Sequence, residues 1–278
     1  MKVAIQGIAG AFHDEAARKF FGRTTGDVHL AECETFSLLC ERVDSGEADC
    51  GIMAIENTIA GSLLQNYSYL DRFRLKITGE IYLRIKMNLM ALPGVGIKDL
   101  KYVFSHPIAL RQCAEYLDTL RGVIVSEAED TAESAKKISE QRIADTAAVA
   151  GEEAARMYGL EILAAGIETV KQNYTRFIAL SKNPEAVADA DKASLSFGLR
   201  HQPGALAEVL SIFAGRGVNL TKIQSIPILG QPYRYTFYVD VEWAARSDFD
   251  ASIAEVLRHV VGLSVYGEYK KGELPSES

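Results

Sequence analysis

The chain has 278 residues, of which 48% are hydrophobic and 24% charged, and its formal net charge is −7. This length predicts two or three cores rather than one, and the composition excludes an intrinsically disordered chain. The acidic balance argues against a nucleic-acid-binding surface, because phosphate neutralisation dominates that kind of affinity. No signal-peptide pattern and no apolar run of membrane-spanning length is present, so we expect a cytoplasmic protein without a membrane partner.

The cysteines do not have the spacing of a metal site. Cys33, Cys40, Cys50 and Cys113 form no CxxC pair and no cluster with histidine. Such a pattern is typical of free thiols in a reducing cytosol. The sequence therefore predicts neither a metal nor any other cofactor.

The first elements alternate between strand and helix. A short apolar strand at residues 3–5 leads through a turn with Gly7 and Gly10 into a helix over residues 13–21. A second helix near residues 36–43 is followed by an apolar strand at residues 50–55. This order predicts a parallel α/β sheet with crossover helices.

A second series of strands and helices follows. Residues 77–92 alternate like strands, residues 103–104 form a short strand, and residues 107–120 form a helix with Pro107 in its first turn. The pattern then predicts a strand at 122–125, a helix at 131–140 and an Ala-rich helix at 144–158. Because this series has turns of its own, residues 1–182 are expected to fold as two lobes.

The C-terminal part has a different organisation. Residues 183–192 are polar and include a proline, which predicts a linker. Residues 193–278 contain strand, helix, strand, strand, helix and strand in that order. The βαββαβ order fits a ferredoxin-like fold.

Polar residues follow the strand that ends at Ile55. Glu56, Asn57 and Thr58 lie where a parallel sheet collects ligands, and a carboxylate, an amide and a hydroxyl there could hold a small polar molecule. Helix capping by Asn57 or Thr58 is the structural alternative. The turn at Gly7 and Gly10 could aim backbone N–H groups at an anion, although a plain tight turn explains it equally well.

Two other short motifs contain reactive side chains. His106, between Ser105 and Pro107, is more often structural than catalytic in such a setting. Thr175 and Arg176 precede an apolar strand, and in an ideal strand they would point to opposite faces. An arginine in this position can bind a carboxylate bidentately. In the C-terminal part, the turn at Pro203 and Gly204 could bind a small zwitterion or simply begin a helix.

Taken in order, these motifs resemble the prephenate dehydratase family. The matching motifs are Gly7-x-x-Gly10-x-Phe12, Ile55-Glu56-Asn57-Thr58 with Ala60-Gly61-Ser62, Gly79-Glu80-Ile81, Ser105-His106-Pro107 and Asn173-x-Thr175-Arg176-Phe177. The C-terminal part resembles an ACT domain through Pro203-Gly204-Ala205-Leu206 and Asn219-Leu220-Thr221-Lys222-Ile223. The resemblance covers nearly the whole chain.

The resemblance implies a fold, a reaction and a site. It implies a catalytic domain of the two-lobed type 2 periplasmic-binding-protein kind over residues 1–182, followed by a ferredoxin-like ACT domain. Prephenate would lose carbon dioxide and a hydroxyl group to give phenylpyruvate. Thr175 matches the family's catalytic threonine and Arg176 its carboxylate-binding arginine. Other matching cleft positions are Glu56, Asn57, Thr58, Asn173, Thr131 and Gly10.

The resemblance also implies regulation. Phenylalanine would bind to the ACT domain, and the positions that match its effector motifs are Gly204, Ala205, Leu206, Asn219, Gln224 and Ser225. ACT domains commonly pair side by side, so we expect a homodimer or a homotetramer. This chain departs from the usual Glu-Ser-Arg-Pro motif, since it has Gln224-Ser225-Ile226-Pro227. It also has His13 where the family usually has Ser or Thr, and Met87 where many members have His.

Three alternatives remain open at this stage. The proton for the leaving hydroxide could come from Thr175 or from a protonated Glu56. The substrate could be arogenate, the aminated analogue of prephenate, because nothing in the sequence separates an amino from a keto group. A non-catalytic amino-acid-sensing protein would also suit a two-lobed cleft with an ACT domain.

Overall fold

A computed structural model describes residues 1–25 and 27–275. In chain order its first elements are β1 (Lys2–Gln6), α1 (Phe12–Thr25), β2 (His29–Cys33), α2 (Phe36–Ser45), β3 (Cys50–Asn57), β4 (Gly61–Ser62), α3 (Leu64–Phe73) and β5 (Lys76–Arg84). Next come β6 (Asn88–Ala91), a 3-10 turn (Ile97–Asp99), β7 (Tyr102–Ser105), α4 (Pro107–Gln112), α5 (Ala114–Leu117), β8 (Ile124–Glu127), α6 (Thr131–Gln141), β9 (Thr146–Ala150), α7 (Glu152–Tyr158), β10 (Glu161–Ala164) and β11 (Tyr174–Ser181). The last elements are β12 (Lys192–Gly198), α8 (Ala205–Gly215), β13 (Asn219–Pro227), β14 (Tyr235–Glu242), α9 (Arg246–Val256) and β15 (Val261–Tyr269).

The described residues form two compact units. One comprises Met1–Leu63, Ile81–Phe177 and the described residues from Leu274, and the other comprises Leu64–Glu80 and Ile178–Glu273. The predicted limits at 1–182, 183–192 and 193–278 do not coincide with these units, since Leu64–Glu80 group with the C-terminal residues. The domain limits therefore stay a prediction.

Two sheets supply the strands of the first unit, each at the centre of one lobe, and β5 and β11 of the first sheet extend past the limits of that unit. The first has the strand order β2-β1-β3-β11-β5, in which β1 runs parallel to both β2 and β3. The second has the order β10-β6-β9-β7-β8, in which β7 runs parallel to both β8 and β9. The predicted two-lobed α/β fold is confirmed, but the second sheet is mixed rather than parallel, since β6 runs antiparallel to both β9 and β10.

Two chain segments connect the lobes. Residues 85–87 lead from β5 to β6, and residues 165–173 lead from β10 to β11. The segments are joined by backbone hydrogen bonds, from the N–H of Ile167 to the carbonyl of Met87 at 2.8 Å and from the N–H of Ile85 to the carbonyl of Asn173 at 2.7 Å. The buried carboxylate of Glu168 also accepts the N–H of Met87 at 2.9 Å.

The second unit contains the ferredoxin-like domain. Its antiparallel sheet has the order β13-β14-β12-β15, and α8 and α9 contribute to its apolar core together with β12 and β14. Elements β12 to β15 follow the predicted βαββαβ order, which is confirmed.

A polar network of the second unit joins α3 and β5 to this sheet. The hydroxyls of Tyr238 and Tyr266 donate to the two oxygens of Asp71 at 2.6 and 2.5 Å. The buried ammonium of Lys192 lies 2.9 Å from an oxygen of the buried Glu80 carboxylate. The Ser196 hydroxyl lies 2.7 Å from that of Tyr266. We use the name tyrosine–carboxylate network for Asp71, Tyr238, Tyr266, Ser196, Lys192 and Glu80.

Two predicted helices of the second lobe were wrong. Residues 144–158 form the strand β9 and only then the helix α7. Every residue of β9 is buried between β6 and β7, so burial in the sheet outweighs the helix propensity of its alanines. Residues 107–120 contain the short helices α4 and α5, because Cys113 between them has a non-helical backbone, with φ −107° and ψ 9°.

Among the described residues, no helix combines the length and apolar composition that crossing a bilayer requires. The same residues contain no group of His, Cys, Asp and Glu side chains that could hold a metal ion. The four cysteines are buried and unpaired. Burial raises the pKa of Cys40, Cys50 and Cys113 to about 12, so these thiols stay protonated at neutral pH.

Candidate active site

A cavity of about 250 Å³ in the first unit lies between residues of the two lobes. The first lobe contributes Asn57, Thr175 and Phe177 to its wall, and the second lobe contributes Gln112 and Thr131. The first turns of α1 and α6 also line it, through Phe12, His13 and Thr131. A larger cavity of about 330 Å³ in the second lobe contains none of the predicted site residues.

Asn57 fixes the hydroxyl of Thr175. Its side-chain N–H group donates to Thr175 Oγ1 at 2.9 Å and to Asn173 Oδ1 at 2.8 Å. An amide nitrogen is only a donor, so Thr175 Oγ1 must accept this bond and its own proton is available to another group. Thr175 lines the cavity and its residue is only 9% exposed. The hydroxyl is thus arranged to donate a proton to a ligand.

The structure decides between the two interpretations of Asn57. Its carbonyl oxygen accepts the backbone N–H groups of Ile59 and Ala60 at 3.0 and 2.8 Å. These bonds make an Asx turn before β4 rather than cap a helix, so the capping alternative was wrong. The turn holds the Asn57 amide in the orientation in which it reaches Thr175.

Thr58 lies beside this turn but outside the cavity wall. Its backbone N–H donates to the carbonyl of Tyr174, and its hydroxyl exchanges hydrogen bonds with the carbonyl of Gln172 and the N–H of Tyr174. Thr58 therefore ties the turn to the start of β11. Thr58 thereby supports the positions of Asn57 and Thr175.

Gln112 is a site residue that sequence reasoning missed. The side-chain N–H of Asn173 donates to Gln112 Oε1 at 3.0 Å, and Gln112 lines the cavity from α4 of the second lobe. The amides of Gln112, Asn173 and Asn57 thus form a chain of hydrogen bonds that ends at Thr175. A single glutamine at the end of a helix belongs to no recognisable motif. The one indication was that its helix follows the Ser105-His106-Pro107 motif.

His13 packs into the cavity wall as a neutral ring. Its ring meets that of Phe177 edge-on at 5.0 Å and lies 5.5 Å from that of Phe36. Burial lowers its pKa to about 3, and Nε2 accepts the backbone N–H of Ala54 at 3.3 Å. At neutral pH the ring is uncharged, with its proton on Nδ1.

His106 acts as a helix cap. Its Nδ1 accepts the backbone N–H of Ile108 at 3.2 Å at the start of α4, which requires that nitrogen to be unprotonated. The ring also lines the cavity. The structural interpretation of this residue is confirmed.

The turn at Gly10 does not offer the expected anion site. The backbone N–H of Ala9 donates to Glu32 Oε1 at 2.6 Å, and that of Gly10 donates to Asp14 Oδ2 at 2.8 Å. These two N–H groups thus already donate to carboxylates of the protein itself. Gly10 is needed for a different reason: its φ is +86°, and a Cβ would come within 3.3 Å of the Ala154 backbone.

Arg176 and Glu56 are not among the described residues that line the cavity containing Thr175. Residues Tyr174–Ser181 form a strand, so its side chains alternate, and Thr175 and Phe177 face the cavity. Arg176 lies between them in sequence and is only 4% exposed. Glu56 pairs with Ser62 of β4. The predicted roles of Arg176 and Glu56 in substrate binding stay predictions.

The predicted effector residues lie on two elements of the second unit. Gly204 precedes α8 with φ +83°, and Ala205 and Leu206 form the first turn of that helix. Asn219, Gln224 and Ser225 belong to the edge strand β13, where the side chain of Gln224 donates to the carbonyl of Ser225 at 3.2 Å. Their role in binding an effector stays a prediction.

Comparison with known proteins assigns the chain to a family. The prephenate dehydratase model matches residues 3–185 and the ACT domain model matches residues 193–242. A relative from Arabidopsis thaliana, arogenate dehydratase/prephenate dehydratase 2, chloroplastic, is 39% identical over 97% of this chain and 72% of its own length.

Solved structures have the same fold. Prephenate dehydratase from Arthrobacter aurescens in complex with L-Phe is 30% identical, with a TM-score of 0.86 over 97% of this chain and 90% of that one. GqqA, described as a novel type of quorum quenching acylase, is 29% identical, with a TM-score of 0.87 over 98% of both chains. The chain belongs to the prephenate dehydratase family: it is a hydro-lyase with a C-terminal ACT domain.

Proposed function

We propose that this chain converts prephenate to phenylpyruvate in the cavity between the lobes of its first unit. The observation that carries the proposal is the hydrogen bond from Asn57 to Thr175 Oγ1 at 2.9 Å, which leaves the hydroxyl proton free for the substrate. The similarity to a quorum quenching acylase means that the fold alone does not fix the chemistry, so the proposal depends on this site.

The reaction needs a proton donor but no external electron sink. The bond between the ring and its carboxylate breaks, carbon dioxide leaves, and the electron pair moves through the ring. The hydroxyl on the opposite ring carbon departs and takes up a proton to become water, so the ring becomes aromatic. One proton is consumed for each carbon dioxide and water released.

Thr175 is the proton donor we favour over Glu56. Thr175 lines the cavity, whereas Glu56 is not among its described lining residues. A threonine hydroxyl is a weak acid, and its alkoxide needs a donor nearby; the Asn57 amide supplies that donor at 2.9 Å. Asn173 and Gln112 keep the Asn57 amide in place.

The carboxylates of the substrate can be held without a cationic side chain. The first turns of α1 and α6 line the cavity, but the N–H groups of Gly10, Ala132 and Glu133 already donate to Asp14 and Asp130, so hydroxyl groups are the donors we propose for the substrate. Thr131, the first residue of α6, adds a hydroxyl to the same wall. This arrangement supports binding of a small diacid.

We propose in addition that phenylalanine regulates the enzyme through the ACT domain, in a cytoplasmic homodimer or homotetramer. The complex of the Arthrobacter relative with L-Phe supports this choice of effector. Light scattering tests the oligomeric state. A rise in melting temperature with phenylalanine but not with alanine tests the effector, and no rise would show that this ACT domain does not bind it.

An absorbance assay for phenylpyruvate tests the reaction itself. Purified protein is incubated with prephenate, and in parallel with arogenate, each with and without phenylalanine. We expect turnover of prephenate that phenylalanine lowers. Binding of both diacids without turnover would instead identify a non-catalytic amino-acid-sensing protein.

A further inference from the structure

A site for a diacid alone would be expected to carry positive charge, whereas the charged side chains described in the cavity wall are carboxylates. Glu129 and Asp130 line the cavity, and no lysine or arginine is among its described lining residues. His13 is neutral because burial lowers its pKa to about 3. His106 accepts a backbone N–H through Nδ1 and caps α4. The described lining residues of the cavity therefore include two carboxylates but no lysine or arginine.

The two carboxylates are not equivalent. Asp130 caps α6, since one of its oxygens accepts the N–H groups of Ala132 and Glu133 at 2.7 and 3.0 Å. Glu129 lies outside the helix, is exposed, and has no side-chain hydrogen bond or ion pair with any other described residue. Glu129, which also lines the neighbouring cavity, is thus the carboxylate of the two whose oxygens both have no hydrogen-bond partner among the described residues.

An available carboxylate distinguishes between the two candidate substrates. Prephenate has two carboxylates and a neutral keto group, whereas arogenate has an ammonium group in place of the keto oxygen. A carboxylate repels the first molecule more than the second and can pair with the ammonium of the second. A site that recognises charge in this way discriminates through both attraction and repulsion.

We propose that Glu129 is a specificity-determining residue that binds the ammonium group of arogenate and makes arogenate a substrate of the same cavity. The inference rests on the proposed dehydratase function and deepens it by naming the substrate feature that is recognised. Glu129 is given no part in proton transfer, which stays with Thr175.

The test compares kcat/KM for arogenate and prephenate in the wild type and in Glu129→Gln. Because an exposed ion pair is weak, we expect the ratio of arogenate to prephenate kcat/KM to fall by about fivefold in the variant. The matched control is Glu133→Gln, which removes an exposed carboxylate four residues later that lines only the neighbouring cavity. The control should keep the wild-type ratio.

The wild type provides a second, independent measurement. Added salt screens an exposed ion pair, so the ratio should fall between low salt and 0.5 M salt in the wild type and change less in Glu129→Gln. A ratio that is equal in wild type and variant, or a salt response that is equal, overturns the inference while leaving the dehydratase function intact. Absence of turnover with both substrates in the wild type overturns both proposals.

Discussion

Both units bury polar side chains, but they do so with opposite chemistry. In the first unit the neutral amides of Asn57, Asn173 and Gln112 fix one hydroxyl beside a cavity. In the second unit the Lys192–Glu80 pair of the tyrosine–carboxylate network places charges inside packed structure. Amides can orient a reacting group without adding charge to a site that must receive a diacid. Buried charges, in contrast, bind segments together only while every partner is present.

This comparison predicts that changes in the amide network alter turnover, whereas changes in the charged network alter stability. The largest effect is expected for Thr175→Ala, which removes the proton donor. General acid catalysis typically contributes about 10²–10⁴-fold, so kcat should fall by that factor while KM changes little. Steady-state phenylpyruvate assays measure both constants.

Thr175→Ser is the matched control, because it keeps the hydroxyl that Asn57 orients. It should retain most of the activity and the melting temperature. Wild-type turnover in Thr175→Ala would remove this residue from the mechanism.

Lys192→Ala tests the other side of the comparison. The ammonium group is buried, and its loss removes the cation that lies 2.9 Å from the buried Glu80 carboxylate. Breaking a buried pair from one side costs about 3–5 kcal/mol of the free energy of unfolding. Urea denaturation should show this loss.

Lys270→Ala is the control for that measurement, because Lys270 pairs with Asp191 at 2.7 Å on the surface, where its side chain is 58% exposed. It should cost less than about 1 kcal/mol. Equal losses in the two variants would contradict the distinction between buried and exposed pairs.

His13 makes the stability of the first unit depend on pH. Its pKa is about 3 in the folded chain and about 6.5 when unfolded, so between these values the unfolded chain binds a proton that the folded chain does not. The free energy of unfolding should fall as the pH drops from 6.5 toward 3, by about 1–2 kcal/mol at pH 5 because the ring keeps some access to solvent. Guanidinium midpoints at pH 7.5 and 5 measure this loss.

In His13→Gln the same acidification should cost less, since glutamine does not titrate but keeps an acceptor for the Ala54 N–H. An identical pH response in the wild type and the variant would show that His13 is not the titrating group.

The smallest effect is expected for Tyr266→Phe. The variant loses the hydrogen bonds to Asp71 and Ser196 but keeps the ring packing, which should cost about 1–2 kcal/mol of the free energy of unfolding. Tyr235→Phe changes a more exposed tyrosine of the same sheet and should cost less than about 0.5 kcal/mol. Thermal denaturation of both variants, with kcat measured alongside, shows whether the network affects stability alone.

The sequence predicted those parts of the fold that depend on local pattern. The alternating strands and helices of the ACT domain were found in the correct order, because their apolar periodicity is regular. The strand β9 was missed, since alanines favour a helix and only burial between neighbouring strands makes them a strand. The helix α3 was not predicted, although Tyr67 and Leu70 lie three residues apart on its buried face.

The candidate site was predictable where motifs are continuous. Asn57, Asn173, Thr131 and Thr175 were named from sequence, and the structure brings them to one cavity or its hydrogen-bond network. Gln112 joins them only because the second lobe faces the first. For Arg176 the sequence supported two expectations, a place at the cavity from its motif and the face opposite Thr175 from strand alternation; the structure describes Thr175 and Phe177 in the cavity wall.

The two segments between the lobes limit how those lobes can move. Hydrogen bonds at Met87 and Asn173 join the segments to each other, so one cannot slide along the other without breaking them. We therefore expect the two segments to act as a hinge about which the lobes rotate. Substrate would then enter, and product would leave, on the side of the cavity that lies away from this hinge. A bulky label on the side away from the hinge would obstruct the passage of substrate and product. A label beside the hinge would instead report its bending.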